Sequence, residues 1–395
     1  MTECARPRWL GAGFGDDADP EVAGRLAAQA ATAGRAAELM LVFSSFADGL
    51  ERLLDGVRSQ AAAGTVIVGC STFGEVIDGR GDPTAPGVVV AALGGEGLEV
   101  HTRVGRGASG DRREAGRAAA EAATLLQAPE RICLLLCDGL VGEQHDVIRG
   151  AYSVLGVTTR LVGGCAGDAG SYAKTFQFLG DRSAVEIMSD SVIGVGLGST
   201  GRFGVGIAHG WSKSGEAMIV TSSADGRLAS LDERPALDVY LDRIGADRSL
   251  LDDPAAFRDR AYASPLGMSR RNSEDIRVVH AGDLTDGSLQ CLADIPQGAL
   301  TWVMQAHPDS LIAAGADSCA QAIDDLGGEE PVGLLVFDCG ARKAVLGEAM
   351  REEISAMVKV ADGVPLAGMY TYGEIARTHG SRGMHHLTAV TLAVS

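Results

Sequence analysis

The chain has 395 residues, a formal net charge of −18 and a hydrophobic fraction of 46%. At roughly 150 residues per domain, this length predicts two or three structural units with enough apolar residues for a large core. A surface this acidic repels polyanions, which argues against nucleic acids and anionic membranes as partners, and no apolar run approaches the roughly 20 residues that span a bilayer.

The cysteines and the N-terminal residues indicate the compartment. The eight cysteines are spread through the chain, several within apolar runs such as 133–137, and they form neither a short disulfide framework nor a CxxC pair. The first 20 residues include Asp16, Asp17 and Asp19 and lack a long apolar core, so they do not resemble a secretion signal. The sequence therefore predicts a cytoplasmic protein with reduced thiols.

Helix and strand signals alternate along the chain. In the first half they predict helices at 20–38, 110–126 and 143–155, and strands at 41–43, 66–68, 88–93, 98–104, 132–136, 161–162, 175–179, 192–197 and 203–208. This alternation predicts an α/β or α+β fold in which repeated strand–helix–strand units form layered mixed sheets flanked by helices.

The pattern changes near Trp211, where we predict a domain boundary that divides the chain into 1–210 and 211–395. A strand is expected at 217–222, and a helix begins near Pro235 and ends at Gly245, which are favoured start and stop residues. The remaining predicted elements are strands at 276–279 and 302–305 and helices at 310–326 and 348–360.

The most informative feature is an internal repeat. The segment GCSTFGEV at 69–76 matches GMYTYGEI at 368–375, and GCAGD at 164–168 is a weaker third copy. Each copy follows a strand–helix–strand pattern whose first strand lies near 41–45, 134–139 or 334–340. Recurrence of the loop together with its context predicts three related units with an equivalent loop after the second strand.

These segments resemble the FIST family, named for a role in intracellular signal transduction. The N-terminal part resembles a FIST N domain at 68–75 and 163–168, and the C-terminal part resembles FIST C at 370–376, followed by His385 and Thr388. The chain departs from the family where a His-Asn pair is usual, because His385 is followed here by His386.

The resemblance implies a sensory module that binds a small ligand, with amino acids among the proposed ligands. A subset of the family is described as haem-binding nitric-oxide sensors that act with separate histidine kinases or cyclic-dinucleotide enzymes. No kinase or other output segment is recognised in this sequence, so we expect the signalling partner to be a separate protein.

The repeated loops supply the candidate ligand-binding residues. Glu75, Asp168 and Glu374 follow Gly-rich strand ends, where a carboxylate can pair with an amino group, although each can instead cap a turn. Aromatic and hydroxyl side chains beside them can form the walls and anchors of a pocket between the N- and C-terminal parts. The predicted ligand-binding set is Thr72, Glu75, Asp168, Tyr370, Thr371, Tyr372, Glu374 and His385.

Other chemistries have weaker support. His209, beside Trp211 at a strand end, can ligate haem iron, the cofactor of the gas-sensor alternative, or serve as a hydrogen-bonded structural residue. Cys70 and Cys165 can act as nucleophiles in a thiol hydrolase or transferase, but no histidine occupies an equivalent place in both units, so we predict no enzyme. The spacing of His379, His385 and His386 matches no known metal motif.

Overall fold

The computed structural model describes residues 7–79, 85–156, 158–224, 226–269, 274–377 and 383–395, so His379 lies outside the described residues. The first unit has two helices on one side of a sheet. Its elements are β1 (Trp9–Gly15), α1 (Pro20–Thr32), β2 (Leu39–Ser44), α2 (Leu50–Arg58), β3 (Val66–Ser71), β4 (Gly74–Ile77) and β5 (Val88–Gly94).

The second unit repeats this succession with a short added hairpin. Its elements are β6 (Glu99–Arg106), α3 (Arg112–Thr124), β7 (Glu130–Cys137), α4 (His145–Leu155), β8 (Arg160–Cys165), β9 (Gln177–Gly180), β10 (Val185–Met188) and β11 (Ser191–Ser199).

The third unit opens with one strand and is then interrupted by a long insert. The strand is β12 (Phe203–Ala208). The insert contains β13 (Ser212–Ala224), β14 (Arg227–Leu231), β15 (Arg234–Pro235), α5 (Ala236–Ile244), a 3-10 turn (Arg248–Asp252), α6 (Pro254–Tyr262), β16 (Leu266–Ser269), β17 (Glu274–Arg277), β18 (Val279–Gly282), β19 (Leu289–Cys291) and β20 (Leu300–Gln305).

The chain then returns to complete the third unit. Its remaining elements are α7 (Pro308–Asp324), β21 (Gly333–Cys339), α8 (Gly340–Leu346), a 3-10 turn (Gly347–Ala349), α9 (Met350–Ala361), β22 (Leu366–Thr371), β23 (Glu374–Arg377), β24 (Met384–His385) and β25 (Ala389–Val394). No helix among the described residues has the length and apolar character needed to cross a bilayer.

Three sheets share one strand order. The orders are β1-β5-β2-β3, β6-β11-β7-β8 and β12-β25-β21-β22. In each, the last two strands are parallel and the others antiparallel. This agreement confirms the predicted three-fold repeat and the mixed α/β class.

Each unit also donates a strand to the sheet of another unit. The strand β4 of the first unit pairs with β22 of the third, β9 of the second pairs with β3 of the first, and β23 of the third pairs with β8 of the second. The exchange is cyclic, so each sheet is completed by a neighbouring unit. The apolar core that the three sheets share includes Phe43, Leu136 and Phe337, one from each unit.

The glycine at the matching register position of each parallel pair has a packing reason, and in the second unit it is Gly163, one residue before the copy that the sequence indicated at 164–168. Gly69, Gly163 and Gly368 lie opposite the first strand of the parallel pair, and a Cβ on each would come within 1.9, 2.0 and 2.0 Å of the carbonyl oxygen of Val42, Leu135 and Val336, respectively. Only glycine allows two backbones to approach this closely. The repeated glycine is therefore required by the close approach of the two parallel strands as well as by the loop.

The insert forms a sheet of its own. Its strands run in the order β17-β16-β20-β13-β14-β19-β18, with β15 paired to β14, and they enclose a separate apolar core with α5 and α6. Trp211 stands where the chain leaves the third sheet, and its indole N–H donates to the carbonyl of Leu387 at 3.1 Å. The division into 1–210 and 211–395 stays a prediction.

Candidate functional site

A cavity of about 410 Å³ lies between the strand-end loops of the three units and the insert. Its size falls in the range of about 300–1,000 Å³ that is usual for small-molecule sites. Every unit contributes to its wall. The units supply Phe73, Gly139, Leu140, Gly142, Glu143, Gln144, Tyr172, Cys339, Gly340, Ala341, Thr371, Tyr372 and His386, and the insert supplies Gly226, Tyr262, Val278, His280, Gln290, Cys291 and Leu292.

Aromatic rings form a continuous part of this wall. Tyr172 stacks on Tyr372, with ring centroids 4.9 Å apart and an interplanar angle of 10°, and Phe73 lies 5.9 Å from Tyr372. On its other side Tyr172 contacts the insert, because its hydroxyl lies 2.8 Å from that of Tyr262 and its ring centroid 6.5 Å from that of His280. Tyr172 thus connects the three-unit body to the insert at the cavity.

Asp168 shapes the loop that carries Tyr172. Its carboxylate accepts the backbone N–H groups of Tyr172, Ala173 and Lys174 at 2.9, 2.6 and 3.0 Å, and also the hydroxyl of Tyr372. Partial burial works against the charge, but the hydrogen bonds outweigh it and hold the pKa of Asp168 below its ordinary value. Tyr172 has a φ of 53°, which an L residue adopts only when its surroundings hold it there.

Glu75 and Glu374 occupy matching buried positions at the start of two exchanged strands. The hydroxyl of Thr72 donates to Glu75 at 3.0 Å, and that of Thr371 donates to Glu374 at 2.8 Å. Neither carboxylate lines the cavity, and both are 0% exposed. Their visible role is to tie an exchanged strand to the loop before it, and a direct contact with ligand stays a prediction.

The strand register corrects one part of the repeat. Val76, Ile375 and Phe178 lie opposite the equivalent glycines, Gly368, Gly163 and Gly69, so the residues before them are equivalent. Those residues are Glu75, Glu374 and Gln177, whereas Asp168 corresponds to Gly74 and Gly373. The sequence comparison matched Asp168 to the two glutamates because Asp168 is the first acid after the glycines of the second unit. The true equivalent, Gln177, comes later in the chain because the second unit has a longer loop before its exchanged strand.

Gln177 offers a test of this equivalence. The threonine that holds each glutamate is replaced by Ala166 in the second unit, and the fully buried amide of Gln177 has no hydrogen-bond partner among the described residues. Because a buried unpaired amide is destabilising, we expect Gln177→Met to raise the free energy of unfolding by about 1 kcal/mol. Urea unfolding measures it.

The matched control is Glu374→Met, which removes an acceptor of three hydrogen bonds, from the Thr371 hydroxyl and from the backbone N–H and hydroxyl of Thr388. It should be clearly less stable than wild type. Comparable losses in Gln177→Met and Glu374→Met would mean that the amide of Gln177 is paired in solution.

The other predicted residues divide between the cavity and its surroundings. Thr371 and Tyr372 line it, while the buried Tyr370 lies behind it with its ring 5.3 Å from the Lys343 ammonium. His385 places its Nε2 2.9 Å from the carbonyl of Ala376, away from the cavity.

The neighbouring His386, where the sequence departs from the family pattern, does line the cavity. Its side chain is buried, and its Nε2 has no hydrogen-bond partner within the described chain. Burial lowers the pKa of His386 well below its ordinary value, so the imidazole is neutral. Sequence reasoning singled out His385, because nothing local shows which of two adjacent histidines points inward.

His209 is a structural residue in this arrangement. Its Nδ1 accepts the backbone N–H of Trp211 at 3.0 Å, its carbonyl oxygen accepts Arg342 at 2.7 Å, and it does not line the cavity. Because its Nδ1 already accepts a hydrogen bond and it does not line the cavity, haem ligation by His209 stays a prediction. Within the described ranges, no group of three or more His, Cys, Asp and Glu side chains is placed to hold a metal ion.

The predicted thiols are buried away from the cavity. Cys70 and Cys165 are both 0% exposed, and Cys70 contacts the sulfur of Met369 at 3.4 Å. Burial raises the pKa of both thiols, which disfavours the reactive thiolate. Cys339 does line the cavity, but burial raises its pKa as well, and no hydrogen bond joins it to His386.

Solved structures give distant likenesses. The chain is 12% identical to cyanuric acid hydrolase from A. caulinodans, with 98% of this chain and 99% of that chain covered and a TM-score of 0.33. The chain is 11% identical to a second cyanuric acid hydrolase, with 98% of this chain and 100% of that chain covered and a TM-score of 0.32. It is 7% identical to PurLQS from Thermotoga maritima, with 99% of this chain and 73% of that chain covered and a TM-score of 0.22. These scores carry no argument about activity, and no curated protein matches the sequence.

Family models match almost end to end. The FIST N domain matches residues 38–234, and the FIST C domain matches residues 236–377. The cavity is lined from both matched regions, by Phe73 and Tyr172 in the first and by Tyr262 and Tyr372 in the second. The chain therefore belongs to the FIST family, whose domains are sensory, ligand-binding domains of signalling proteins.

Proposed function

We propose that this protein is a sensor whose small ligand occupies the cavity between the three-unit body and the insert. One observation carries the proposal: the cavity is walled by aromatic rings from both family regions and holds a buried imidazole without a hydrogen-bond partner among the described residues. Apolar walls with few polar anchors are typical of small-ligand sites.

Tyr172 couples the presence of ligand in the cavity to the position of the insert. In the body, Tyr172 contacts both Tyr262 and His280 of the insert at the cavity. A ligand that packs against these rings stabilises one position of the insert relative to the body, and a ligand shifts an equilibrium only through such differential contacts.

The signal then passes to a separate protein, for which a histidine kinase or a cyclic-dinucleotide enzyme is our candidate. The action is binding and not catalysis. Support for this comes from the cavity-lining thiols of Cys291 and Cys339, whose pKa values are raised by burial, and from the absence of a hydrogen bond between Cys339 and His386.

A matched pair of leucine variants tests the site. Leu292 lines the cavity and is 39% exposed, whereas Leu284, also on the insert, is 46% exposed and does not line it. We expect Leu292→Trp to fill part of the cavity and weaken ligand binding at least tenfold, while Leu284→Trp binds as wild type does.

The measurement is a thermal-shift screen of a metabolite library that includes the amino acids, the ligand class implied by the family. Hits are then titrated against all three proteins. Hits that bind Leu292→Trp and Leu284→Trp equally well would place the ligand site elsewhere and remove the proposal.

A further inference from the structure

The charges around the cavity restrict its ligand. Glu143 is the one formally charged side chain among the described lining residues, and no lysine or arginine lines the wall. Burial raises the pKa of Glu143, but its contact with His145, whose Nδ1 lies 2.7 Å from a carboxylate oxygen, outweighs this and leaves Glu143 ionised. Arg258 and Lys343 approach the rings of Tyr172 and Phe73, at 5.5 and 5.4 Å from the ring centroids, but neither lines the cavity. A carboxylate or phosphate ligand would therefore meet no cation in the wall, at a large cost in desolvation.

The shape of the wall favours a flat ring. Phe73, Tyr172, Tyr262 and Tyr372 come from four separate segments, yet all line the same cavity. Aromatic pairs gain attraction beyond the area they bury when rings stack or meet edge to face. A saturated ring of equal size would gain only the burial.

The polar anchors suit an uncharged hydrogen-bonding edge. His386 lines the cavity and is 4% exposed, and its Nε2 has no hydrogen-bond partner in the described part of the chain. Gln290 lines the wall from the insert, and because its Nε2 donates to the carbonyl oxygen of Cys291 at 3.3 Å, it offers its amide oxygen. A neutral imidazole and an amide each donate or accept hydrogen bonds, and neither neutralises an ion.

We propose that the ligand is an uncharged, planar aromatic or heteroaromatic molecule with a hydrogen-bonding group on its edge, an inference that rests on the proposed ligand site. Its ring packs among the tyrosines and its polar edge meets His386. An amino acid, which is zwitterionic at neutral pH, is the competing class.

Three matched probes separate the properties. Benzamide is neutral and aromatic, cyclohexanecarboxamide keeps the amide but lacks the aromatic ring, and benzoate keeps the ring but is anionic. Ligand-observed NMR titration of the full chain should show benzamide binding about 2- to 12-fold more tightly than cyclohexanecarboxamide, and benzoate binding more weakly than benzamide. L-phenylalanine and L-alanine form the amino-acid arm and should bind more weakly than benzamide.

Variants locate the effect. Tyr372→Leu should abolish the preference for benzamide over cyclohexanecarboxamide, whereas Tyr372→Phe, which loses the hydroxyl bonded to Asp168 but keeps the ring, should retain it. Benzamide that fails to bind, or that binds no better than cyclohexanecarboxamide, benzoate or the amino acids, overturns the inference. The sensory function would survive that result if other library compounds still distinguish Leu292→Trp from Leu284→Trp, and both proposals fail if none does.

Discussion

Replacing Arg342 by Met is expected to lower the free energy of unfolding by about 3–5 kcal/mol. The guanidinium is 0% exposed and donates to Asp338 at 2.8 Å, to Glu353, and to the carbonyl oxygens of His209 and Leu311 at 2.7 and 3.0 Å. Removing it leaves the Asp338 carboxylate buried without its cation and Glu353 without the donor to its carboxyl oxygen, which costs more than the ion pair itself contributes.

The control for this prediction is Glu353→Gln. Burial, and then repulsion from Asp338, raise the pKa of Glu353 well above its ordinary value, so the folded protein favours the neutral acid. A glutamine resembles that acid in shape and still accepts from Arg342, so the loss should be under about 1.5 kcal/mol. Urea unfolding followed by circular dichroism compares the two variants. If Arg342→Met lost no more than Glu353→Gln, the guanidinium would not hold this network together.

The repeat could be predicted from the sequence because close packing requires the same residue types at the same short spacing in each copy. Glycine is required where Gly69 and Gly368 meet the neighbouring strand, and a threonine and an acid follow at a fixed spacing in both units. The local sequence does not indicate that β4, β9 and β23 pair with strands of other units. Each is a four-residue strand, and its partner lies in another unit, so its pairing depends on contacts distant in the sequence.

Helix ends show a similar limit. The Ala-rich pattern predicts a helix over 20–38, but α1 ends at Thr32 because Ala33 adopts a left-handed conformation with φ 47° and turns the chain away. The start was predictable, since Asp19 accepts the backbone N–H of Glu21 and Pro20 occupies the first turn. An alanine in a left-handed cap is not expected from its type.

The sequence predicted only some of the residues of the candidate site. Thr371 and Tyr372 lie in the repeated motif and on the cavity wall, but Tyr262 and His280 come from the insert, whose sheet has no repeat to reveal it. The two glutamates of the motif drew attention as acids after strand ends. Their position in the sequence could not show that their carboxylates turn inward and are held by threonine hydroxyls.

Glu374 should make the stability of the protein fall as the pH rises. The side chain is 0% exposed, and burial raises its pKa to about 8, against the opposing effect of hydrogen bonds from Thr371 and Thr388. In the unfolded chain a glutamate titrates near pH 4.3. The folded state therefore binds a proton that the unfolded state releases between these two values.

The sign follows from that difference. The stabilisation associated with the protonated form is complete below about pH 4.3 and is lost as the pH rises through about 8, at about 1.4 kcal/mol per pH unit in between. Glu374→Gln cannot titrate, so the free energy of unfolding of the variant should depend less steeply on pH between 5 and 8. Because the amide keeps only one of the two oxygens, it loses the acceptor of either Thr371 or Thr388, so the variant starts from a lower stability, and the slope is the quantity to compare.

Urea unfolding at pH 5, 6, 7 and 8 gives the two slopes, with Glu51→Gln, an exposed helical site, as the matched control. The control should follow the wild-type slope. Parallel curves for wild type and Glu374→Gln would show that Glu374 is ionised in the folded protein throughout this range. In that case its three donors, the hydroxyl of Thr371 and the N–H and hydroxyl of Thr388, would outweigh the cost of burying the charge.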